Sequence, residues 1–578
     1  MNLYSFVREK VLQAAEQCAG GLDVAFDKIT VEPCKDAAHG EMATNAALLL
    51  AKPLKKSPPH LAAEIAALLK PLLPEAISIE PAAGFVNIRF HSSFWLAQLF
   101  EILNARNAYG AKIIKNAKKV NVEYCSANPT GPMHIGHVRG AVFGDVLAGL
   151  LQHVGHTVTR EYYINDAGAQ VDVLARSVML RYREAAGETI GAIPAGLYPG
   201  EYLVEVGQAL FARDGDRWLR ASEADALAAA KTFAIAAMLV MIKDDLTALG
   251  VRFDVFSSEA ALHARGAIDA ALKKLEAQGL LYTGVLDAPK GKTPDDWEER
   301  PQLLFRSTQF GDDTDRPIKK ADGSATYFAG DIAYHADKIE RGFEQLINVM
   351  GADHGGYVKR MEAAVAALSQ GRVTLDTKLC QLVHLYKDGQ PYKMSKRAGT
   401  FVTARDLIED IGRDAVRFMM LTRKNDQVFD FDLDVVRQQT KDNPVFYVQY
   451  AHARCASVMR HADEAYGACT LATLRDADLQ QLTDAAELDL VRLLAGWPRQ
   501  LEAAAKAAEP HRLCFALQDI AAAFHALWNK GKDNAELRFI LPNDFATTAP
   551  RLVLVMATKA VLAAGFQLLN ITAVEEMR

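Results

Sequence analysis

The stretch Val120-Asn121-Val122-Glu123-Tyr124-Cys125 limits the possible folds more than any other. It is an apolar run of strand length. A turn, Asn128-Pro129-Thr130-Gly131-Pro132, follows it, and then a helical run from His137 to about His153. Strand, turn and helix in that order make half of a parallel crossover unit. The alternation continues to about Gly399, with further strand candidates at 157–164, 346–350 and 380–386. This predicts an α/β protein with a doubly wound parallel sheet and ligands at the carboxyl ends of its strands. Regions 185–220 and 288–322 interrupt the alternation and read as insertions, the second with a hairpin.

The flanks follow other patterns. Residues 1–110 read as a compact α+β unit. Helical stretches at 3–18, 43–54, 61–72 and 94–107 alternate there with strand-like 77–79 and 85–90. A basic hinge, 111–119, joins this unit to the sheet region. Beyond about Thr403 the pattern is helical to the end. Leu513, Leu517, Ile520, Phe524 and Leu527 mark one buried helix face, and Leu552–Leu569 is another apolar helix.

The 578 residues exceed what one core can hold. No window holds about 18 uninterrupted apolar residues, so no membrane span is expected. The start leads straight into an amphipathic helix, so no signal peptide is expected. The seven cysteines are scattered, with no C-x-x-C, which points to reduced thiols in a cytosol and gives no zinc spacing. A net charge of −6 argues against indiscriminate coating of nucleic acid. It leaves room for a large RNA met by a local basic patch.

Two short stretches carry chemistry. His134-Ile135-Gly136-His137 lies at the strand-to-helix junction, where free backbone N–H groups and the helix dipole favour phosphate. His134 and His137, three apart, can point the same way and donate to phosphate oxygens. Gly136 lacks a Cβ, so a flat adenine can lie against the backbone. Lys393-Met394-Ser395-Lys396 lies in a polar loop with Arg397 and Gly399. Lys396 is read as the point charge on the transferring phosphates and Lys393 as its support. A donor of this kind is worth about 3 kcal/mol in the barrier. Together they describe attack of a carboxylate on the α-phosphorus with pyrophosphate leaving, driven by positioning and charge neutralisation.

The run Val122 to Gly140 resembles the first signature of class I aminoacyl-tRNA synthetases in the form used by the arginyl family, and Lys393–Gly399 is similar to the second. His39–Asn45 resembles that family's N-terminal add-on domain, Gly351-Ala352-Asp353-His354 a strand end of its nucleotide fold, and Asn443–Arg454 the start of its helical anticodon-binding domain. Asp414-Ala415-Val416-Arg417 echoes the motif that names the last domain, with Val where Leu is usual. The resemblance implies ATP-dependent ligation of L-arginine to tRNA(Arg) through an arginyl-adenylate, with bound tRNA needed for activation. It implies a Rossmann-like catalytic domain at 111–400, an α+β add-on at 1–110, a connecting helical stem at 401–442 and an all-α anticodon-binding domain at 443–578.

The resemblance also assigns residues. His134, His137, Lys393 and Lys396 fall to catalysis, and Gly136, Asp353, His354, Met394 and Ser395 to ATP. Glu123, Ser126, Asn128, Glu259, Tyr327 and Asp331 fall to arginine, where carboxylates suit a planar guanidinium. Asn45, Tyr450 and Arg454 fall to tRNA; from residue type alone Tyr450 and Trp528 read either as stacking surfaces for bases or, more often for such rings, as core, and no base contact is assigned. Mg2+ is expected to arrive with ATP, and no protein-bound metal or prosthetic group is expected. A cytoplasmic monomer that meets no membrane is expected. Some arginyl enzymes have a degenerate lysine loop and a lysine just before the histidines; here that position is Gly131 and the loop is intact. The rivals are another class I synthetase, a tRNA-binding paralogue without activity, and a small-molecule adenylyltransferase.

Overall fold

A computed structural model of the chain describes residues 2–22, 24–34, 36–286, 300–392 and 402–577. Those residues form two compact units. One consists of 116–152 and 156–438; the other combines 1–115, 153–155 and 439–578.

The first unit is built on a five-stranded sheet with the order Thr374–Cys380, Gln345–Gly351, Lys119–Glu123, Thr157–Ile164, Val255–Ser258. Every neighbouring pair is parallel. The strand that comes first in the chain therefore lies at the centre. The chain adds two strands on one side of it and then crosses to add two on the other. The connections diverge between Lys119–Glu123 and Gln345–Gly351, which opens a crevice at their carboxyl ends. This is the doubly wound arrangement that the pattern predicts. Val120 and Val122 are fully buried, as a central parallel strand requires.

Several elements differ from expectation. The candidate at 380–386 divides: one strand ends at Cys380, and Val383–Lys387 joins a separate three-stranded sheet. That sheet also takes Phe429–Asp432, inside the stretch read as a helical stem. Phe429 and Phe431 are buried and alternate with acidic residues, a period of two. The insertion after Ala185 is helical, with Tyr202–Asp214 and Arg217–Arg220. The second insertion holds an antiparallel sheet of Leu281–Gly284, Gln302–Phe305 and Arg316–Pro317.

The second unit carries a four-stranded antiparallel sheet, Val31–Pro33, Met42–Thr44, Phe85–Phe90 and Ala76–Ala82 in that order. The stretch read as a helix from Ala43 starts instead as a strand, with the helix at Ala46–Leu54. Five long helices follow from Pro444 to Leu569. Two helices, Glu223–Leu249 in the first unit and Phe545–Leu569 in this one, are long and apolar enough to cross a membrane by length and composition. Lysines or arginine interrupt both, so a search for unbroken apolar runs passes over them. Arg551 in the second is buried and paired with Glu487 at 2.9 Å, which marks a core helix.

Candidate active site

Glu123 ends the central strand, opposite Asn348 of its neighbour. The chain then breaks sharply. Cys125 and Ser126 take φ of 67° and 39°, a left-handed conformation that costs an L residue about 1–2 kcal/mol. Strain of this kind persists where surrounding contacts hold it, often at functional sites. Here Ser126 Oγ accepts from Tyr163 N at 3.0 Å and sits 3.5 Å from Glu123 Oε1. The break carries the chain out of the sheet and leaves Asn128 exposed.

The helix Tyr327–Glu340 faces this strand end, capped by the Thr326 side chain on Ala329 N. Asp331, Tyr334, His335 and Lys338 recur at helical spacing and turn one stripe inward. Lys338 is fully buried and its Nζ donates to Glu123 Oε2 at 2.5 Å. The same ammonium lies 4.3 Å from the centre of the Tyr334 ring. Burial, with the Lys338 charge, pushes His335 down to about 3, so the ring is neutral. Its Nδ1–H donates to the Asp331 carbonyl at 2.8 Å, and its Nε2 accepts from Asn348 at 2.9 Å.

Asp331 Oδ2 accepts from the Tyr357 hydroxyl at 2.5 Å. Burial pushes its carboxyl up to about 7. The Tyr357 bond opposes this, and the charges of Glu123 and Glu259 add to it. Glu259 opens the short helix after strand Val255–Ser258. Burial raises its carboxyl too, against the pull of His263 3.8 Å away. Glu259 Oε2 is buried and has no partner among the described residues. Tyr163 stands among the three acids: burial and then the charges of Glu259, Asp331 and Glu123 push its phenol up. Three carboxylates thus gather around Tyr163, one of them paired with the buried Lys338. Such a site takes a cation with several donors.

The histidines lie at the start of the helix Ile135–Val154. Their rings stack with centroids 3.9 Å apart. His134 Nδ1 accepts from Gly136 N at 3.1 Å, and His137 Nδ1 accepts from His134 N at 3.3 Å. A neutral ring with Nδ1 accepting carries its proton on Nε2. Both histidines are thereby set as Nε2–H donors. A Cβ on Gly136 would stand 2.9 Å from His134 Cε1, so the glycine also makes room for that ring. Thr403 pairs with His134, and Ala404 N donates to Met133 O at 2.8 Å. Lys393, Met394, Ser395 and Lys396 lie outside the described residues. Lys396 is seven positions before Thr403.

Asp353 and His354 lie 3.8 Å apart, exposed, in the turn that follows strand Gln345–Gly351. They follow the strand next to the one that Glu123 ends, at the same carboxyl-end side of the sheet. Tyr327 is 69% exposed, and the tyrosine bonded to Asp331 is Tyr357. Tyr163, Lys338 and Tyr357 escape the reading of the sequence. Only Tyr163, at the carboxyl end of a strand candidate, carries a signal there.

In the second unit Asn45 spends both ends of its amide on backbone, accepting from Thr30 N at 2.9 Å and donating to Lys28 O at 3.2 Å. Tyr450 and Arg454 come together: the guanidinium donates to the Tyr450 hydroxyl at 2.7 Å and stacks over the rings of Tyr450 and Trp528. A cavity of ≈ 420 Å³ opens beside Trp528, lined also by His461, Lys532, Arg538 and Phe539.

The chain matches three family models: an arginyl tRNA synthetase N-terminal domain over residues 5–90, a catalytic domain of class I (R) tRNA synthetases over 98–193, and a DALR anticodon binding domain over 448–577. Asp414–Arg417 lies outside the last range, and Arg417 is buried in the sheet unit on Asp145 at 2.6 Å. The chain is 54% identical over 584 residues to an arginine–tRNA ligase of Ruegeria pomeroyi, and 55% identical over 583 residues to one of Paracoccus denitrificans. Each match covers the whole of both chains. The structure of an arginyl-tRNA synthetase from Thermus thermophilus superposes with a TM-score of 0.77 over the whole of both chains, at 23% identity.

Proposed function

The chain belongs to the arginyl-tRNA synthetase family, and on that premise we propose how its residues carry out the ATP-dependent ligation of L-arginine to tRNA(Arg). Arginine is adenylated at the expense of ATP, releasing diphosphate, and the arginyl group then passes to tRNA with release of AMP. The observation that carries the residue assignment is the gathering of Glu259, Asp331 and Glu123 around Tyr163, with the buried Lys338 paired to Glu123. Glu123, held by Lys338 at Oε2 and by Ser126 Oγ at Oε1, shapes the pocket and adds negative charge to it. Asp331 takes the guanidinium, oriented by Tyr357. Glu259, with its unpartnered buried oxygen, takes the α-amino group. Asn128, exposed at the turn, holds the substrate carboxylate. Tyr327, exposed at the start of the same helix as Asp331, is read as part of the arginine site.

ATP enters as its Mg2+ complex, the metal counted with the nucleotide because Mg2+ prefers phosphate and water oxygens. The Nε2–H groups of His134 and His137 donate to phosphate oxygens as charge builds on them. Gly136 leaves a flat approach for adenine, and Asp353 and His354 flank the nucleotide at the neighbouring strand end. Lys396 and Lys393, with Met394 and Ser395, complete the phosphate contacts. This assignment rests on the sequence and on the tie of Thr403 and Ala404 to the histidine turn.

The domain division is read as 1–110, 111–400, 401–442 and 443–578. Tyr450 and Arg454, with Trp528, offer stacking surface and positive charge to unpaired bases, while Asn45 shapes the N-terminal surface. The enzyme is read as a cytosolic monomer acting away from membranes. Free cysteines throughout the described residues support a reducing compartment. ATP–pyrophosphate exchange with each of the twenty amino acids, with and without tRNA, tests the whole reading. Exchange is expected with arginine alone and only with tRNA present. Exchange with another amino acid would overturn it.

A further inference from the structure

The helical insertion between Ala185 and Arg220 has no part in the chemistry above, yet one of its side chains reaches the histidine turn. Tyr202 opens the helix Tyr202–Asp214, which packs with Ala169–Ala185 and Glu223–Leu249 around Leu174, Val178, Leu203 and Met238. The Tyr202 ring lies against this core. Its hydroxyl leaves it and donates to the carbonyl of Thr130 at 2.7 Å. A Cβ on Gly131 would stand 2.9 Å from that hydroxyl oxygen and 3.1 Å from the ring carbon that bears it. Gly131 does not have a positive φ. Its φ does not call for glycine, and the hydroxyl end of the Tyr202 ring is what crowds out a side chain.

The rest of the turn is tethered from two more elements. Asp245, on the long helix Glu223–Leu249, accepts from Met133 N at 3.4 Å, and Met133 O accepts from Ala404 N at 2.8 Å. We propose that Tyr202 is a positioning residue for adenylation: through its hydroxyl the helical insertion fixes the turn from Asn128 to Pro132, and with it the placement of Asn128 against the histidine pair. The turn has few ways to hold itself. It starts from the strained Cys125-Ser126 step, and its prolines at 129 and 132 donate no backbone hydrogen bond. Misplacement of a reacting group by even about 1 Å is costly to a reaction that depends on alignment. The proposal rests on the arginine-charging reading.

Tyr202→Phe keeps the ring and removes only the hydroxyl. In ATP–pyrophosphate exchange with tRNA and arginine, kcat is expected to fall about five-fold, the worth of one ordinary hydrogen bond. KM for ATP and for arginine should stay within about two-fold, because a slight misplacement of Asn128 weakens the alignment reached in the transition state more than the contacts of the bound ground state. Tyr182→Phe is the control. It removes another hydroxyl of the same three-helix core, one that donates to the Gly215 carbonyl. It should lower Tm at least as far and leave kcat at the parent value. Gly131→Ala should reduce kcat in the parent and cost less in the Tyr202→Phe background, where the clashing oxygen is gone. If Tyr202→Phe does not fold, Gly131→Ala in the parent decides alone: reduced kcat at constant KM supports the proposal, and unchanged kcat overturns it. An unchanged kcat in Tyr202→Phe, an equal loss in Tyr182→Phe, or an equal cost of Gly131→Ala in both backgrounds would also overturn it. Exchange by the parent enzyme with arginine checks the underlying reading separately.

Discussion

Asp331→Asn should separate what the pocket gives to arginine from what it costs the fold. Asp331 titrates near 7 because burial and the charges of Glu123 and Glu259 outweigh the Tyr357 bond and Lys338. A guanidinium needs the carboxylate form, so binding arginine below that pH must release a proton. The apparent arginine KM should therefore be about ten-fold higher at pH 6 than on its plateau above pH 8. In Asp331→Asn this dependence should vanish. The KM should rise by about 2–5 kcal/mol of lost pairing, roughly 30- to 4,000-fold. Stability should move the other way. A carboxyl whose folded-state pKa is raised from 3.8 to about 7 makes the folded enzyme lose stability as pH rises between those values. The full displacement corresponds to about 4 kcal/mol, an upper bound for a side chain that keeps some solvent contact. Without arginine, Asp331→Asn should then unfold at higher denaturant concentration than the parent at pH 8, and the gain should shrink toward pH 4. Exchange kinetics from pH 5.5 to 8.5 and urea unfolding at pH 4.5 and 8 provide the readouts. An arginine KM that is flat with pH in the parent, or a variant that is no more stable at pH 8, would refute the reasoning.

Other expectations follow from single contacts. Lys338→Met leaves the Glu123 charge unpaired in a buried place, so stability should drop by about 3–5 kcal/mol in urea unfolding, and Glu123→Gln in the same chain should restore much of it. Gly144→Ala would put a Cβ 2.1 Å from the Tyr124 ring, where the histidine helix packs on the sheet. Overpacking there should cost at least about 1–3 kcal/mol, seen as a lower Tm. Arg454→Ala should raise the KM for tRNA and flatten its salt dependence while leaving the arginine KM unchanged, because the guanidinium stacks on the exposed Tyr450 ring and the half-buried Trp528 ring, far in sequence from the carboxylates.

The sequence makes the central strand and the histidine helix legible, because a buried parallel strand is apolar throughout and Pro and Gly mark the turn after it. It hides the edges. Thr374–Cys380 is an outer strand, half-buried with polar residues spaced along it, and Val255–Ser258 is four residues long. Phe429–Asp432 alternates as a strand does but lies among helices, so its short period is overruled by its neighbours. In the site, acidic residues near strand and helix ends are visible once a family is recognised. Lys338 is not, because a lysine in a helix reads as a solvated charge, and only the fold buries it against Glu123 215 positions away. Tyr357 and Tyr202 are hidden for the same reason: each acts on a group that only the folded chain brings near.

Adenylation in this enzyme requires one convergence, the histidines and Lys396 upon the same triphosphate. A double-mutant cycle in ATP–pyrophosphate exchange, with His134→Ala, Lys396→Ala and the pair together, measures it directly. Each single variant is expected to lose about 100-fold in kcat. The double variant should lose clearly less than the product of the two, a coupling of at least about 1 kcal/mol. Losses that multiply to within about 0.3–0.5 kcal/mol would mean that the two groups act independently, and would contradict the account.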